Sequence, residues 1–387
     1  MHLAVIAFVW LLASVWIFGV LEAGRGLPKV PNLLNASHDV TPDGMPSVTV
    51  IVPGRNEEKD ISACLESLLA QDYPSLLIQA VNDRSDDRTG SIMDTLAAAY
   101  PDRLAVLHIE ALPPGWLGKT HAMAVAATGC TSDFLLFTDA DIFFRPDALR
   151  RALSNAVTTD ADHFVLFPTT VIRRWDEGAF LGFVQTFGLW AARPWKVADP
   201  RSRDAIGVGA FNLIKRSAYL TIGGFDAFPM EIIEDLGLAR RIKKAGLRQR
   251  VAFGRGLVSV HWASGVPGLV GVMTKNIFSA FNFHIALVFA ACLGLSVVFL
   301  LPFAALFYPP TLLPALLIVA AMALAYHLMS PFSGISALNA LLAPFAAIVV
   351  IYALLRSMIA TLRQGGVVWR GTFYSLAELR KNTAPLL

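Results

Sequence analysis

Hydrophobic and polar positions fall into long separate blocks along this chain. Residues 3–21 form an unbroken apolar run in which Ser14 is the only polar side chain. At about 1.5 Å of helical rise per residue, about 20 residues cross the hydrocarbon core of a bilayer, so this run can span one. A cleaved signal peptide competes for the segment. It would want a basic start, a short apolar core and a small-x-small cleavage site. The chain starts Met1-His2 without Lys or Arg, so a retained anchor over 3–21 is expected. A second block, residues 276–355, contains no Asp, Glu, Lys or Arg. Turn signals at Tyr308-Pro309-Pro310 and Ser330-Pro331-Phe332-Ser333-Gly334 divide it into three expected transmembrane helices, 285–307, 311–329 and 335–355. A buried helix of a soluble protein would still need a polar face at its edge, and these have none.

Between the two blocks the pattern changes. Residues 46–262 alternate short β-branched runs with segments of helical spacing. Strands are expected at 47–52, 76–81, 104–109 and 134–138, with helices at 57–70, 89–99 and 119–127. That alternation predicts an α/β domain with a mainly parallel sheet covered on both faces. Residues 24–45, with Pro28, Pro31, Pro42 and Gly44, read as a linker. Residues 263–283 are aromatic and weakly amphipathic and read as an interfacial segment. Residues 356–387 read as a basic C-terminal tail, carrying Arg356, Arg363, Arg370, Arg380 and Lys381.

Composition agrees with this division. Of 387 residues, 55% are apolar and 16% charged, against about a quarter charged in a typical soluble domain. The formal net charge of +3 is too even to suggest nucleic-acid binding by bulk charge. Cys64, Cys130 and Cys292 follow no metal or disulfide spacing. Arg25 and Lys29 follow the first run, and no basic residue precedes it. The positive-inside rule then puts the soluble domain in the cytoplasm, as part of a multi-pass inner-membrane protein. Three further crossings would leave the basic tail outside, against the same rule. Either the rule is violated there or the number of spans is off by one.

In α/β sheets ligands bind beyond the carboxyl ends of the strands. After the first expected strand comes Pro53-Gly54-Arg55-Asn56-Glu57-Glu58, after the second Asn82-Asp83-Arg84-Ser85, and after the fourth Asp139-Ala140-Asp141. Two carboxylates in such a turn can share a divalent cation, which takes its remaining oxygens from phosphate and water. Other chemistries lose support. Gly115-Trp116-Leu117-Gly118-Lys119-Thr120 fails as a phosphate loop because Pro113 stands where glycine is required. Gly207-Val208-Gly209 lacks the third glycine of a dinucleotide fingerprint, Asn212 taking its position. Zinc-protease and serine-hydrolase signatures are missing.

The ordered set of motifs resembles family 2 glycosyltransferases of the GT-A fold, a resemblance that implies a Rossmann-like mixed sheet for the nucleotide-diphospho-sugar transferase domain. Val50-Ile51-Val52-Pro53-Gly54-Arg55-Asn56-Glu57-Glu58 resembles their opening, Asn82-Asp83-Arg84-Ser85 their nucleotide-binding turn, and Thr138-Asp139-Ala140-Asp141 their metal-binding Asp-x-Asp. Gly207-Val208-Gly209-Ala210-Phe211, Ile222-Gly223-Gly224-Phe225 and Glu234-Asp235-Leu236-Gly237-Leu238 resemble the segments leading to and carrying the catalytic base. The resemblance implies an inverting transfer from a nucleotide-diphosphate sugar, a UDP-sugar by family habit, with Mg²⁺ or Mn²⁺ as cofactor. It implies Asp235 as base beside Glu234, Asp141 and Asp139 on the metal, and Pro53, Asn56, Glu57, Asp83, Lys119 and Asp139 around the nucleotide. His261, Trp262 and Lys275 are weaker candidates for diphosphate or acceptor contacts. Each residue also has a plainer use: Glu234 and Asp235 suit a helix N-terminus, Asp83 a turn, and Lys119 a solvated helix start.

The Gln-x-x-Arg-Trp string of processive synthases is absent after the base motif. This favours single-sugar transfer to a lipid acceptor over a processive polymerase, with a polysaccharide or other glycolipid glycosyltransferase of the same family as the alternative. The arrangement is most similar to hopene-associated and ceramide glucosyltransferase-like enzymes. Two other classes stay open: a membrane transporter, disfavoured by a membrane block without ionisable residues, and a nucleotide-sugar-binding protein without catalysis.

Overall fold

The computed structural model describes residues 2–382. From the N-terminus the chain forms α1 (His2–Gly26), β1 (Val48–Gly54), α2 (Ile61–Leu69), β2 (Leu76–Asp83), α3 (Thr89–Ala99), β3 (Leu104–Ile109), α4 (Gly118–Thr128) and β4 (Phe134–Phe137). It continues with β5 (Ile142–Phe144), α5 (Ala148–Thr158), β6 (His163–Leu166), β7 (Thr169–Thr170), α6 (Trp175–Ala192), β8 (Asn212–Lys215), α7 (Arg216–Thr221) and α8 (Glu234–Lys244). Then come β9 (Gln249–Ala252), β10 (Val258–Val260), α9 (Gly265–Asn276), α10 (Ile285–Leu295), α11 (Leu301–Ala305), α12 (Leu312–Ser333), α13 (Ala343–Gln364), the hairpin β11 (Gly366–Trp369) and β12 (Thr372–Ser375), and α14 (Leu376–Asn382).

Seven strands make the main sheet in the order β3-β2-β1-β4-β8-β6-β9. Strands β1 and β4 are buried along their whole length, as apolar runs covered on both faces should be. β1 is parallel to both β2 and β4, with Gly54 opposite Asn82 and Ile51 opposite Phe137. This register brings the three polar turns after β1, β2 and β4 to one edge. β8 runs antiparallel to both β4 and β6, so the sheet is mainly parallel but mixed, as the GT-A resemblance implies. A small sheet, β5-β10-β7, lies beside it.

Segments expected to be loose are fixed in place. Leu33 is fully buried, and residues 31–33 bond to Phe253 through its backbone N–H and carbonyl. Helix α12 continues through Pro331, which removes only one amide near the helix end. It stops at Gly334 with φ of 74°. Ahead of Pro302 the helical ladder slips into a π turn at Ser296–Leu300, one of the usual causes of a helix irregularity.

Four helical stretches, His2–Lys29, Ile285–Ala305, Pro309–Ser333 and Ala337–Gln364, are long and apolar enough to cross a membrane. Their outward faces carry exposed Phe8, Leu11, Phe18, Leu293, Leu313 and Ile348, an apolar surface that water would not tolerate over such an area. One apolar cluster joins them to the α/β domain: Trp16 of α1 packs on Phe187 of α6 at 5.5 Å and on Phe299 at 5.6 Å. His2 Nδ1 lies 2.7 Å from the Tyr308 hydroxyl at the end far from the domain, while Glu22 pairs with Lys196 at the near end. α12 reaches the domain where Phe332 stacks on Phe253 at 4.4 Å. α13 then starts beside α6, with Phe345 6.2 Å from Trp175. Further along, the Ser357 hydroxyl donates to the Thr274 carbonyl of α9. Past its C-terminus the hairpin β11–β12 returns to the turn after β1.

Candidate functional site

The strand-end turns form one wall of a cleft of about 610 Å³. Pro53, Asp83, Asp139 and Asp141 line it from the sheet edge, and Lys119, Glu234 and Asp235 from the first turns of α4 and α8. Trp262 and Lys275 line the side toward α9, with the apolar Ile232, Ile233, Val260 and Val272.

Asp83 ends β2 and is buried. Arg84 donates to both of its oxygens, at 2.7 and 3.1 Å, so the carboxylate is oriented before any ligand arrives. A Cβ on Gly118 would lie 2.4 Å from Asp83 Oδ2, so only glycine lets the start of α4 come this close. The next residue, Lys119, is neither solvated nor free. Its ammonium pairs with Asp139 and, at 2.5 Å, with Glu234, and these two carboxylates hold its pKa above the usual lysine range despite burial. Lys119 thus ties the β4 turn to the start of α8.

Asp141 has no cation paired with it among the described residues. Burial, then the neighbouring Asp139 and Glu57, push its pKa up to about 6. Such an excess of negative charge calls for a cation. No cluster of three or more His, Cys, Asp or Glu poised for a metal occurs among the described residues. The two carboxylates of Asp139 and Asp141 suit Mg²⁺ or Mn²⁺, which typically accept one or two protein carboxylates and complete their shell with phosphate oxygens and water.

The Thr138 hydroxyl donates to the Ala210 carbonyl at 2.7 Å and fastens the β4 end to the 207–211 loop. That loop runs against α8, where the Asp235 carboxylate accepts from the Leu236 amide at 2.7 Å and from the Gly209 amide. Lys119 is hydrogen-bonded to Glu234 and Asp139, and among the described residues Asp235 takes its hydrogen bonds from backbone amides. Burial raises its pKa above the aspartate range. Burial raises Glu234 as well, against the pull of Lys119. Asp235 is therefore a carboxylate poised to accept a proton nearer neutrality than a solvated one.

Three expected residues stand off the cleft. The Asn56 side chain accepts from the Asp86 amide at 2.8 Å and clamps the β1 turn to the β2 turn. Glu57 pairs with Arg370, and its amide donates to Thr89 Oγ1 at 2.7 Å. His261 Nε2 lies 3.5 Å from Glu177, a buried carboxylate that the Arg173, Arg174 and Gly265 amides bond at the start of α6. In the other direction, Arg55, Arg370 and Tyr374 line the cleft without having been singled out. Val367-Val368 and Phe373-Tyr374 around Arg370-Gly371 carry a hairpin pattern. Nothing local in the sequence ties that hairpin to a turn over 300 residues away.

The sequence model described as glycosyltransferase like family 2 matches residues 46–261. Among curated proteins, the 4,4'-diaponeurosporenoate glycosyltransferase of Staphylococcus aureus strain MRSA252 is 28% identical over 195 residues, 50% of each chain. The protein of the same name from strain USA300 is 27% identical over the same share. This chain thus spans about half the length of the curated relatives it matches. Among solved structures, the mannosyltransferase PcManGT from Pyrobaculum calidifontis, in complex with GDP-Man and Mn²⁺, superimposes with a TM-score of 0.53 at 21% identity. The match covers 93% of this chain and 99% of that one, a likeness of fold.

Proposed function

Since the chain belongs to glycosyltransferase family 2 and carries a GT-A domain with four apolar helices, we propose that it moves one sugar, with inversion, from a nucleotide-diphosphate sugar to a lipid hydroxyl at a membrane. One observation carries this reading. A single cleft has carboxylates of the strand ends and α8 on one side and Ile232, Ile233, Trp262 and Val272 on the other. A polar donor and an apolar acceptor can meet there.

Asp83, oriented by Arg84, takes hydrogen bonds from the nucleoside. Asp141 and Asp139 would hold the divalent cation, which when bound would supply Lewis-acid stabilisation to the leaving diphosphate. Lys275, in the last turn of α9, adds positive charge on the same side. Asp235 takes the proton of the acceptor hydroxyl as its oxygen attacks the anomeric carbon. Lys119 holds Asp139 and Glu234 in register through the reaction, which keeps Asp235 aimed at the cleft.

A UDP-sugar is the donor we favour by family resemblance, with a GDP-sugar as the second arm of the assay. For the acceptor we favour a rigid polycyclic lipid of the hopanoid kind. A relative named for glycosylation of diaponeurosporenoate supports an isoprenoid-like acceptor in general. The domain then lies on the cytoplasmic face of the inner membrane. α1, the α10–α11 pair and α12 cross the bilayer, while α13 runs along it, because both ends of α13 pack on the domain side. Three crossings also bring the basic tail to the face where the positive-inside rule wants it. Mass spectrometry of lipids from cells with and without the gene tests the reading. A glycolipid that disappears with the gene supports it, and unchanged glycolipids would sink it.

A further inference from the structure

We propose that the C-terminal hairpin β11–β12 is a wall of the nucleotide site, with Arg370 binding the donor's diphosphate and Tyr374 shaping its nucleoside end. The inference rests on the glycosyltransferase reading of the same cleft. It assigns function to a segment outside the family match, which ends at residue 261.

The Arg370 guanidinium donates to the Arg55 carbonyl and pairs with Glu57, both in the turn after β1. Arg55 Nη1 in turn lies 3.3 Å from Thr372 Oγ1. The Tyr374 hydroxyl accepts from the Gly118 amide at 3.3 Å, next to Asp83. Both Arg370 and Tyr374 face the cleft that Asp83, Asp139 and Asp141 line.

A nucleoside diphosphate brings about two negative charges into a cleft already rich in carboxylates. Lys119 is committed to Asp139 and Glu234, and Arg84 to Asp83. Arg55, Lys275 and Arg370 are the other basic side chains lining the cleft; Arg370 is 45% exposed and pairs with the single carboxylate of Glu57, so it can join Lys275 in reaching a phosphate at little cost in burial. Arginine's planar fork suits phosphate oxygens.

Arg370 and Gly371 are the two central residues of a tight hairpin turn, with φ of 45° and 81°. Such turns favour Asn-Gly or Gly-Gly, because a side chain with positive φ is costly. An arginine at a position that disfavours any side chain points to a use for its guanidinium.

The test uses the full chain in membranes or detergent, with UDP-sugars and GDP-sugars as donors and Mn²⁺ present. Arg370→Gln should raise the donor KM and the dissociation constant of UDP or GDP by about tenfold or more, the worth of one charge-assisted bond. It should leave the acceptor KM unchanged, and Arg370→Lys should recover part of the loss. In the wild-type chain, amides of residues 366–375 should exchange more slowly when UDP or GDP binds, a readout that needs no variant to fold. An unchanged donor KM in Arg370→Gln overturns the inference. So does unaltered exchange over 366–375 while the 53–57 turn becomes protected. A wild-type chain that neither binds nor turns over any nucleotide sugar fails the enzyme reading itself, which is a separate outcome.

Discussion

Replacing Gly207 by alanine should disable the chemical step while leaving nucleotide binding largely in place. A Cβ built on Gly207 would stand 2.0 Å from the Asp235 carbonyl oxygen, 2.1 Å from its carbon and 2.5 Å from the Leu236 nitrogen. Ordinary contact begins near 3.4 Å, so the start of α8 must retreat by about 1.4 Å. All three atoms are backbone, so no rotamer change relieves the clash, and Glu234 and Asp235 move with them. A misplacement of about 1 Å costs about a hundredfold in rate when reacting groups must be aligned. The overpacking itself should cost about 1–3 kcal/mol of stability. We therefore expect kcat for sugar transfer to fall about a hundredfold in Gly207→Ala, with UDP or GDP affinity changed far less. Asp83 and the β1 turn are held by Arg84, the Asp86 amide and Thr89 rather than by α8. Gly129→Ala is the control, since its Cβ would meet nothing within 4 Å and its φ is −84°. Steady-state transfer assays paired with nucleotide titrations read both quantities. A Gly207→Ala enzyme with kcat within about threefold of wild type, under about 1 kcal/mol of barrier, would refute the role given to the α8 start.

Other outcomes follow from the same geometry. Chelation should abolish transfer and added Mg²⁺ or Mn²⁺ restore it. Asp141→Ala should lower kcat at least about a hundredfold, because a bound cation supplies several kcal/mol to the leaving group. Hydrogen bonding from Arg145, then from Arg151, holds Asp147 down at about 2 from its ordinary 3.8. Its contribution to stability is complete above the unfolded value and is lost as pH falls from about 5 toward 2. Arg145 is 40% exposed, so screening reduces the contribution to about 1–2 kcal/mol. Asp147→Asn should lower the melting temperature at pH 7 and flatten its fall with acid, which a thermal melt series checks. Cysteines placed at Ser91 in α3 and at Lys381 in α14 should react with an impermeant maleimide from the same face of the membrane. Labelling from opposite faces would contradict a tail that returns to the domain.

The α/β order was legible because apolar runs with turns between them carry their own period. Thr89–Ala99 and Leu104–Ile109 begin and end where the pattern puts them. The turns after β1, β2 and β4 were legible as a set because parallel strands share one carboxyl edge, and the register delivers Asp83 and Asp139 there. Which strand runs antiparallel was not, since the four residues Asn212-Leu213-Ile214-Lys215 of β8 read the same in either direction. Lys119 could be placed near the nucleotide but not given its two carboxylate partners, which come from β4 and α8. The tail misled most. Arg356, Arg363 and Arg370 read as a loose basic stretch, yet α13 runs on to Gln364 and the hairpin behind it closes on the β1 turn. A contact made across most of the chain leaves no periodic trace in either partner.

The account stands or falls on whether Asp235 takes a proton from a lipid hydroxyl in this cleft. Membranes holding the wild-type chain or Asp235→Asn can be supplied with radiolabelled UDP-sugars and GDP-sugars and then extracted into organic solvent. The account predicts label in the lipid phase for the wild type. For Asp235→Asn it predicts a loss of about a hundredfold to ten-thousandfold, the range for a missing general base, with nucleotide binding retained. Lipid labelling by Asp235→Asn at the wild-type rate would contradict it.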